Sequence, residues 1–568
     1  MKDLTSAMNS FEHRGQDPWW TVSGIRLPLM MTVCLLTITG PSFCGSPDLG
    51  CPIVIADLPK PVPPWSPGDP IKCADGALVF DIQIRERFEY RENWIDFNDD
   101  YDLRDDVALF QRLRFGLKVQ PVDWFKAYAQ IQDSRTFFDE TNGDVGDPFR
   151  GIRAYSASPE NTREFVVHNS SIDLRQGWVE FGGLDERPFA LRVGRQVLSY
   201  GDERLIGGFE WDNNARTFDA AKAQWKNGGL QIDAFAGWVV LHKNDRFNDP
   251  DTADLLAGIY SVIESIPRHQ LDAYLLFRSK SDVDFPTVFS NQPQQNGGNT
   301  APPGDYFTLG MRAKSRVGSM GRWDWNGEFA IQWGHVVNPL GFYRFDMLTG
   351  TYEPVDRIGP RTINVLRQDL LAAAAHIEFG YTFPCPWDPR AHVGYSYGSG
   401  DENPSDGECG TFQNLFPTNH RFYGFMDRFS WQNMHNPEVG LTVKPTGSLQ
   451  MVLDYHMFWL DETEDLWRFA AQEPVGGQGR YANALLGGTP VPETALLGRN
   501  MLRGAPSSYV GSELDFVISW KATKWLKVEA GYCHFFAGDY VLDSAGVLGD
   551  RRRADDARFG YAQIQLDF

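Results

Sequence analysis

The sequence predicts an all-β fold, a transmembrane antiparallel up-and-down β-barrel of about eighteen strands with short periplasmic turns and long extracellular loops. Three observations predict it. Apolar and polar residues alternate with period two in segment after segment, the connections alternate between short and long, and the sequence closes on an amphipathic segment with a terminal aromatic, "FGYAQIQLDF". In a β-strand successive side chains point to opposite faces, so each alternating segment presents one apolar and one polar side.

Composition narrows the class. Aromatics make up 14% of the 568 residues, yet mean hydropathy is only -0.37. A helical membrane protein needs runs of about 20 apolar residues, and no segment beyond the N-terminus approaches that. A barrel hides its hydrophobicity in alternation and carries aromatic girdles. Residues 1–46 read as a signal peptide: in "IRLPLMMTVCLLTITG" Arg26 precedes an apolar run from Leu27 to Thr39, too short to span, and small residues follow it. A lipoprotein reading competes, but Phe43 is bulky before Cys44 and Cys51 lies far from the run. Residues 47–76 form a proline-rich periplasmic segment, and residues 77–568 the barrel. Cys51 and Cys73 flank the proline-rich stretch and can pair in an oxidising compartment. Cys385 and Cys409 are expected at opposite ends of a strand and unbridged, and Cys533 lies free within one. No Cys/His metal spacing occurs, so no cofactor and no zinc centre is expected.

The elements follow in order. "DIQIRERFEYR" (81–91) opens the series, with Ile82, Ile84 and Phe88 toward lipid and Asp81, Arg85, Arg87, Glu89 and Arg91 toward the interior. Glu86 breaks the pattern, which predicts a membrane boundary or a bulge there. "FQRLRFGLKVQ" (110–120) sets Leu113, Phe115 and Leu117 against Arg112, Arg114 and Lys118. Further strands are read at 125–134, 172–181, 190–197, 217–225, 230–239, 255–262, 269–278, 306–315, 323–334, 369–383, 390–398, 437–444, 449–459, 509–521, 525–536 and 559–568. "LLAGIYSV" reads equally as a helical turn, but without it two successive strands would run the same way, and tight turns join only antiparallel neighbours. Every second connection is then short ("PVDW", "KNGG", "PTGS", "KATK"), and the others are mostly longer and polar. On the last strand Ala562, Ile564, Leu566 and Phe568 share one face, and Tyr561, Gln563, Gln565 and Asp567 the other. A final aromatic of this kind resembles the signal read by outer-membrane assembly machinery.

Several segments resemble the alginate-export outer-membrane porins: "RVGRQVLSYGDERLIGGFEWDNNARTFDA" (192–220), "LDAYLLF" (271–277), "YGSGDENPSDGECGTFQNLFPTNHRFYGFMDRFSWQN" (397–433), "RERFEY" (85–90) and "FTLGMRAK" (307–314). The likeness runs in order from about residue 78 to Phe568. It implies an eighteen-stranded monomeric barrel in the bacterial outer membrane that passes an anionic uronic-acid polysaccharide outward through an arginine-rich constriction, and it is not an enzyme family. Periplasmic secretion components are implied partners, besides the polymer and outer-membrane lipid; nucleic acid is not. The resemblance places Arg195, Arg204 and Arg216 near the constriction.

Parity directs Arg85, Arg87, Arg112, Arg114, Lys118, Arg192, Arg312 and Lys314 inward. A planar guanidinium pairs a carboxylate through two bonds, and rings of basic side chains select anions. The bland account is that these arginines pair with luminal Asp81, Glu89, Glu328, Glu378, Asp454, Glu513, Asp515 or Glu529 to hold the wall. The formal net charge, -21, opposes an anion path, but exposed charges more than about 8 Å apart are largely screened, so a constriction can differ in sign from the whole. A general or small-solute porin is the alternative function. "SGDENPSDGECG" offers Asp401, Asn403, Ser405 and Asp406 as a weak calcium candidate that misses the EF-hand pattern, since Gly407 falls one place late. His168, Ser170 and His420 could serve a hydrolase, but nothing orients them.

Overall fold

A computed structural model describes residues 68–69, 71–93, 97, 106–137, 170–184, 187–242, 247–281, 304–337, 343–346, 351–354, 367–403, 406–420, 422–463, 465, 467, 507–545 and 555–568. All of them belong to one compact unit, Trp65–Phe568. The signal peptide, Cys51 and His168 lie outside the described residues.

Eighteen long antiparallel strands form the wall. They are β1 (Leu78–Glu92), β2 (Asp106–Val122), β3 (Phe125–Phe137), β4 (Ser170–Gly182), β5 (Phe189–Gln196) and β6 (Phe218–Asn227). Next come β7 (Leu230–Leu241), β8 (Asp249–Ile263), β9 (His269–Lys280), β10 (Gly304–Ser315), β11 (Trp323–Val337) and β12 (Arg367–Thr382). The last six are β13 (Arg390–Gly398), β14 (Met434–Thr446), β15 (Leu449–Trp459), β16 (Tyr509–Lys521), β17 (Leu526–Ala537) and β18 (Ala557–Asp567). The ambiguous "LLAGIYSV" lies within β8, as parity required.

The wall closes on itself. β1 pairs with β2 on one side and with β18 on the other, from Gln83↔Asp567 to Glu92↔Arg558. Ile82 and Phe568 exchange backbone hydrogen bonds of 3.1 and 2.9 Å at the base of this seam. Closure is what hydrocarbon demands, because each unsatisfied backbone group there costs several kcal/mol. The periplasmic turns span two to seven residues and the opposite loops seven to 49. One of the two-residue turns, Gly228-Gly229, has positive φ at both residues (57° and 82°), which matches the right-handed strand twist and which residues with a Cβ adopt reluctantly.

Alternation holds around the wall. Phe88, Leu113, Phe115, Ile131, Val193, Leu309 and Ile564 face outward and are exposed, while Arg85, Arg87, Arg112, Arg114, Asp272 and Arg312 face inward and are buried. Aromatics gather outside at the turn end (Trp124, Phe181, Phe189, Trp225, Trp323, Trp520) and toward the loop end (Phe137, Trp238, Phe307, Trp333). Glu86 corrects an expectation. Pairing runs unbroken through Glu86↔Gln111 and Glu86↔Ile564, so there is no bulge, and the residue sits mid-strand. The Gln111 side-chain amide directly opposite donates to its Oε1 at 2.6 Å, which gives the carboxylate a donor on the outer face. A true irregularity occurs between β3 and β4 at Gln130/Ile131; it switches parity within β4, so that Asp173 and Arg175 face inward and so does Glu180.

Candidate transport path

Two long loops fold into the lumen. The first, residues 197–217, joins β5 to β6 and carries most of the segment "RVGRQVLSYGDERLIGGFEWDNNARTFDA". Its carbonyls meet the inward guanidiniums of β1 and β2: Arg85 Nη1 donates to Glu210 O at 2.7 Å, and Arg112 Nη1 donates to both Glu210 O and Asp212 O at 3.1 Å. Arg87 donates to Trp211 O and lies over the Trp211 ring, 3.9 Å from its centroid. The Glu210 carboxylate is gripped by Arg114 (2.7 Å), Arg112 (3.4 Å) and Arg175. Partial withdrawal from water works to raise the pKa of Glu210, but Arg114, Arg175 and Arg112 override it and hold the carboxyl well below the ordinary range. At the other end of the loop Tyr200 stacks on Tyr260 at 4.7 Å, and Tyr260 stacks on Tyr274 at 5.4 Å.

The second loop, residues 399–433, joins β13 to β14. The two loops meet along a backbone seam: Phe416 N donates to Leu205 O, Gly207 N to Phe416 O, and Thr418 N to Glu203 O, each at 2.8 Å. Arg216 clasps this seam with Nη1 on Gly207 O, Phe416 O and Pro417 O, at 3.1, 2.6 and 2.8 Å. Arg278 of β9, paired to Asp254, reaches Leu415 O at 3.3 Å. On β16 the acceptors are reversed: Glu513 Oε1 accepts from Met426 N (2.8 Å) and Asp515 Oδ2 from Phe425 N (3.2 Å). The loops therefore cross the interior between opposite stretches of wall.

Most singled-out residues do face inward, but with partners. Arg192 pairs with Glu180 at 2.6 Å and lies over Trp178 at 3.9 Å. Arg312 pairs with Asp202 of the first loop and with Asp272 at 3.2 Å. Arg204 lies in the first loop, buried over Phe422 at 4.3 Å and 3.4 Å from the Tyr423 hydroxyl. Among the acids named as wall partners, Glu89 pairs with Arg87, whereas Asp81 accepts from Tyr128 and Gln130, and Glu328 from Tyr274. Glu378 pairs with Arg390 and Glu529 with Lys527. Arg195 is a correction: it does not reach the lumen. It lies opposite Asp219, whose other neighbour in register is the exposed Trp238, and it follows the exposed Val193 by two residues. Its bonds to Asp219 (2.8 and 2.9 Å) thus form on the outer face near the loop end, so Arg195, Arg204 and Arg216 do not converge on one constriction.

The calcium candidates take a different role. Asp401 Oδ1 accepts from Asn403 N at 3.1 Å and Asp406 Oδ1 from Glu408 N at 2.9 Å, each bending its own turn; Ser405 lies outside the described residues. His420 pairs with Asp427 at 2.9 Å and stacks on Trp211 at 3.8 Å; of Ser170 only the backbone, paired with Ser134, is described. Among the described residues Cys73, Cys385 and Cys533 form no disulfide, and Cys51, the expected partner of Cys73, lies outside them.

Sequence reading missed Arg175, Glu210 and Arg278. Arg278 had a signal, because it continues the inward parity of Tyr274 and Leu276. Glu210 had none, since an acid in a polar loop looks like any solvated acid. A cavity of about 270 Å³ lies beneath the first loop, lined by Lys222, Lys314 and Arg312, by Asp233 and Asp272, and by the amides of Gln224 and Gln231. Lys222 and Lys314 make no ion pair among the described residues, and Lys118 shares their inward, half-buried setting.

The family model described as alginate export matches residues 77–555. The chain belongs to the alginate-export family. It is a multi-pass β-barrel of the bacterial outer membrane. No protein of curated function matches it. Among solved structures it is similar to Acinetobacter baumannii OccAB3 (11% identity, 86% of this chain and 99% of that one, TM-score 0.48). It is also similar to Pseudomonas aeruginosa OccD3, or OpdP (8%, 89% and 94%, TM-score 0.47), and to P. aeruginosa OpdK solved with vanillate (12%, 86% and 98%, TM-score 0.45). The family and fold are those of outer-membrane porins.

Proposed function

We propose that this alginate-export family barrel is a non-enzymatic conduit that passes an anionic, uronic-acid-like polysaccharide out of the periplasm as a monomer, fed by periplasmic secretion components. The observation that carries the reading is the polar cavity under the first loop, where Lys222, Lys314 and Arg312 outnumber the carboxylates of Asp233 and Asp272. There Lys222 and Lys314, without ion partners among the described residues, stand beside the amides of Gln224 and Gln231. Ammonium groups attract carboxylates without the rigid fork of arginine, and weak multi-site binding suits a polymer that must leave again. The arginines support this path indirectly, by fixing the two loops that narrow it.

A second reading, a small-solute porin, is favoured by those same loops, since a lumen crossed twice passes narrow solutes first. Planar-bilayer recordings separate the two. Anion preference with current block by uronate oligomers, and loss of both in a Lys222→Glu/Lys314→Glu double variant, supports the polymer conduit. Cation preference without block supports the porin.

A further inference from the structure

We propose that Glu378, His392 and Glu438 form a binding site for a first-row divalent cation on the luminal wall. The register builds it. Glu378 of β12, Gly394 of β13 and Glu438 of β14 lie directly opposite one another in one row across three strands. In the adjacent row stand Gly380, His392, Gly440 and Asp454. His392 is thus diagonal to both glutamates, and glycine alternates with the ligand residues along each row.

The glycines let the side chains lean together. A Cβ on Gly394 would lie 2.3 Å from Glu438 Oε1, and one on Gly440 would lie 2.1 Å from both His392 Cε1 and Asp454 Oδ1. With that space left open, one ligand atom from each of Glu378, His392 and Glu438 falls within 4.8 Å of the other two. Zinc held at about 2.1 Å by each would draw them to about 3.4 Å apart, a small rotation of each side chain.

The surroundings point the same way. The His392 side chain is only 10% exposed, and its Nδ1 is buried with no hydrogen-bond partner. Its Nε2 faces Asp454 Oδ1 at 3.7 Å, the outer carboxylate that ordinarily fixes the ring of a metal-ligating histidine and raises its basicity. Arg390 holds Glu378 by Oε1 at 2.5 Å and His456 stands 3.4 Å from Glu438 Oε2, so both carboxylates are oriented from outside the triad. One imidazole with two carboxylates suits zinc and its first-row neighbours more than calcium or magnesium, which favour all-oxygen shells. Three protein ligands leave a fourth position open toward the lumen.

The test uses tag-free protein in detergent, stripped with EDTA and titrated with Zn²⁺ by calorimetry. The proposal expects one equivalent bound, with affinity reduced at least tenfold in His392→Ala and in Glu438→Gln, each checked for heat-modifiable gel mobility as a sign of a folded barrel. His435→Ala, which removes a histidine paired to Asp461 away from the triad, should bind as wild type. Absence of stoichiometric binding to the wild-type barrel overturns the proposal, and so does binding that survives both triad variants or is lost only in His435→Ala. Because the readout is binding, failure of the conduit reading leaves the result intact. Bilayer recordings add that Zn²⁺ should move the reversal potential toward anions in wild type and not in Glu438→Gln.

Discussion

Where β1, β2 and β4 face the lumen with guanidiniums, β16 faces it with carboxylates, and each wall binds the half of the peptide group that complements it. Arg85, Arg87 and Arg112 take carbonyl oxygens of the first loop; Glu513 and Asp515 take N–H groups of the second. The two arrangements are not equally robust. On the basic wall, Glu210 of the loop returns a negative charge to three guanidiniums, so repulsion among them is offset. On the acidic wall, Glu513 and Asp515 lie two residues apart on one face and take backbone N–H groups from the loop, with the His456 imidazole standing off at 4.0 Å from Asp515 Oδ2. Hydrogen bonds to charged groups are worth about 1.5–3 kcal/mol each, but like charges side by side subtract from that.

This comparison is broken or sharpened most directly by deleting one member of each latch. Glu210→Ala leaves three inward guanidiniums facing each other. Breaking a buried pair costs about 3–5 kcal/mol, and because Glu210 is half exposed we expect about 2 kcal/mol, read as lowered thermal stability, with a rise in single-channel conductance as the loop loosens. Glu513→Ala should cost less, about 1 kcal/mol, since losing the acceptor of Met426 N–H also removes a like charge beside Asp515. A larger loss in Glu513→Ala than in Glu210→Ala would refute the asymmetry.

Acid tests the second loop on its own. Burial first, and then the nearby Asp465, push the Asp401 carboxyl up to about 6. Its folded-state pKa exceeds the unfolded value, so its burden on the folded loop is greatest at neutral pH and is relieved as pH falls through 6 toward 4. The first loop behaves otherwise: the depressed Glu210 keeps its contribution above the unfolded carboxyl pKa and loses it only in stronger acid. Cleavage of the second loop by an acid-tolerant protease should be roughly fivefold slower at pH 5 than at pH 7, after correction for protease activity. Equal protection at the two values would remove Asp401 from the account.

The smallest effect belongs outside the lumen. Arg195→Ala removes an ion pair at the outer rim and should cost about 0.5 kcal/mol and leave conductance and selectivity unchanged. A change in selectivity would return Arg195 to the path.

The strands were legible because a half-buried wall imposes a two-residue period on composition, and that period survived even in "LLAGIYSV". Arg195 was legible as well: counting by twos from Arg192 lands on Gly194 and Gln196, so alternation already gave Arg195 to the outer face, and the family likeness pulled it inward. The lumen's occupants were not legible. "YGDERLIGGFEWDNNAR" has the polar, glycine-containing look of a solvated loop, and only the register of Arg85, Arg112 and Arg114 around Glu210 reveals that it turns inward. The β4 irregularity hid Arg175 for a related reason, since a single inserted residue exchanges the faces. The triad around His392 was invisible because its members are spread over 61 positions and meet only through pairing of three strands.

At its base the seam between β1 and β18 joins residues more than 480 positions apart, as in the contact from Gln83 to Asp567 (484 positions), whereas most other strand pairs are neighbours in sequence. Such a contact is the most entropically expensive in the molecule and the last to be rewarded during folding. Until it forms, two bare strand margins stand ready to zip onto any foreign strand, so the half-made sheet needs a chaperone that masks both margins at once and lets go only as they find each other.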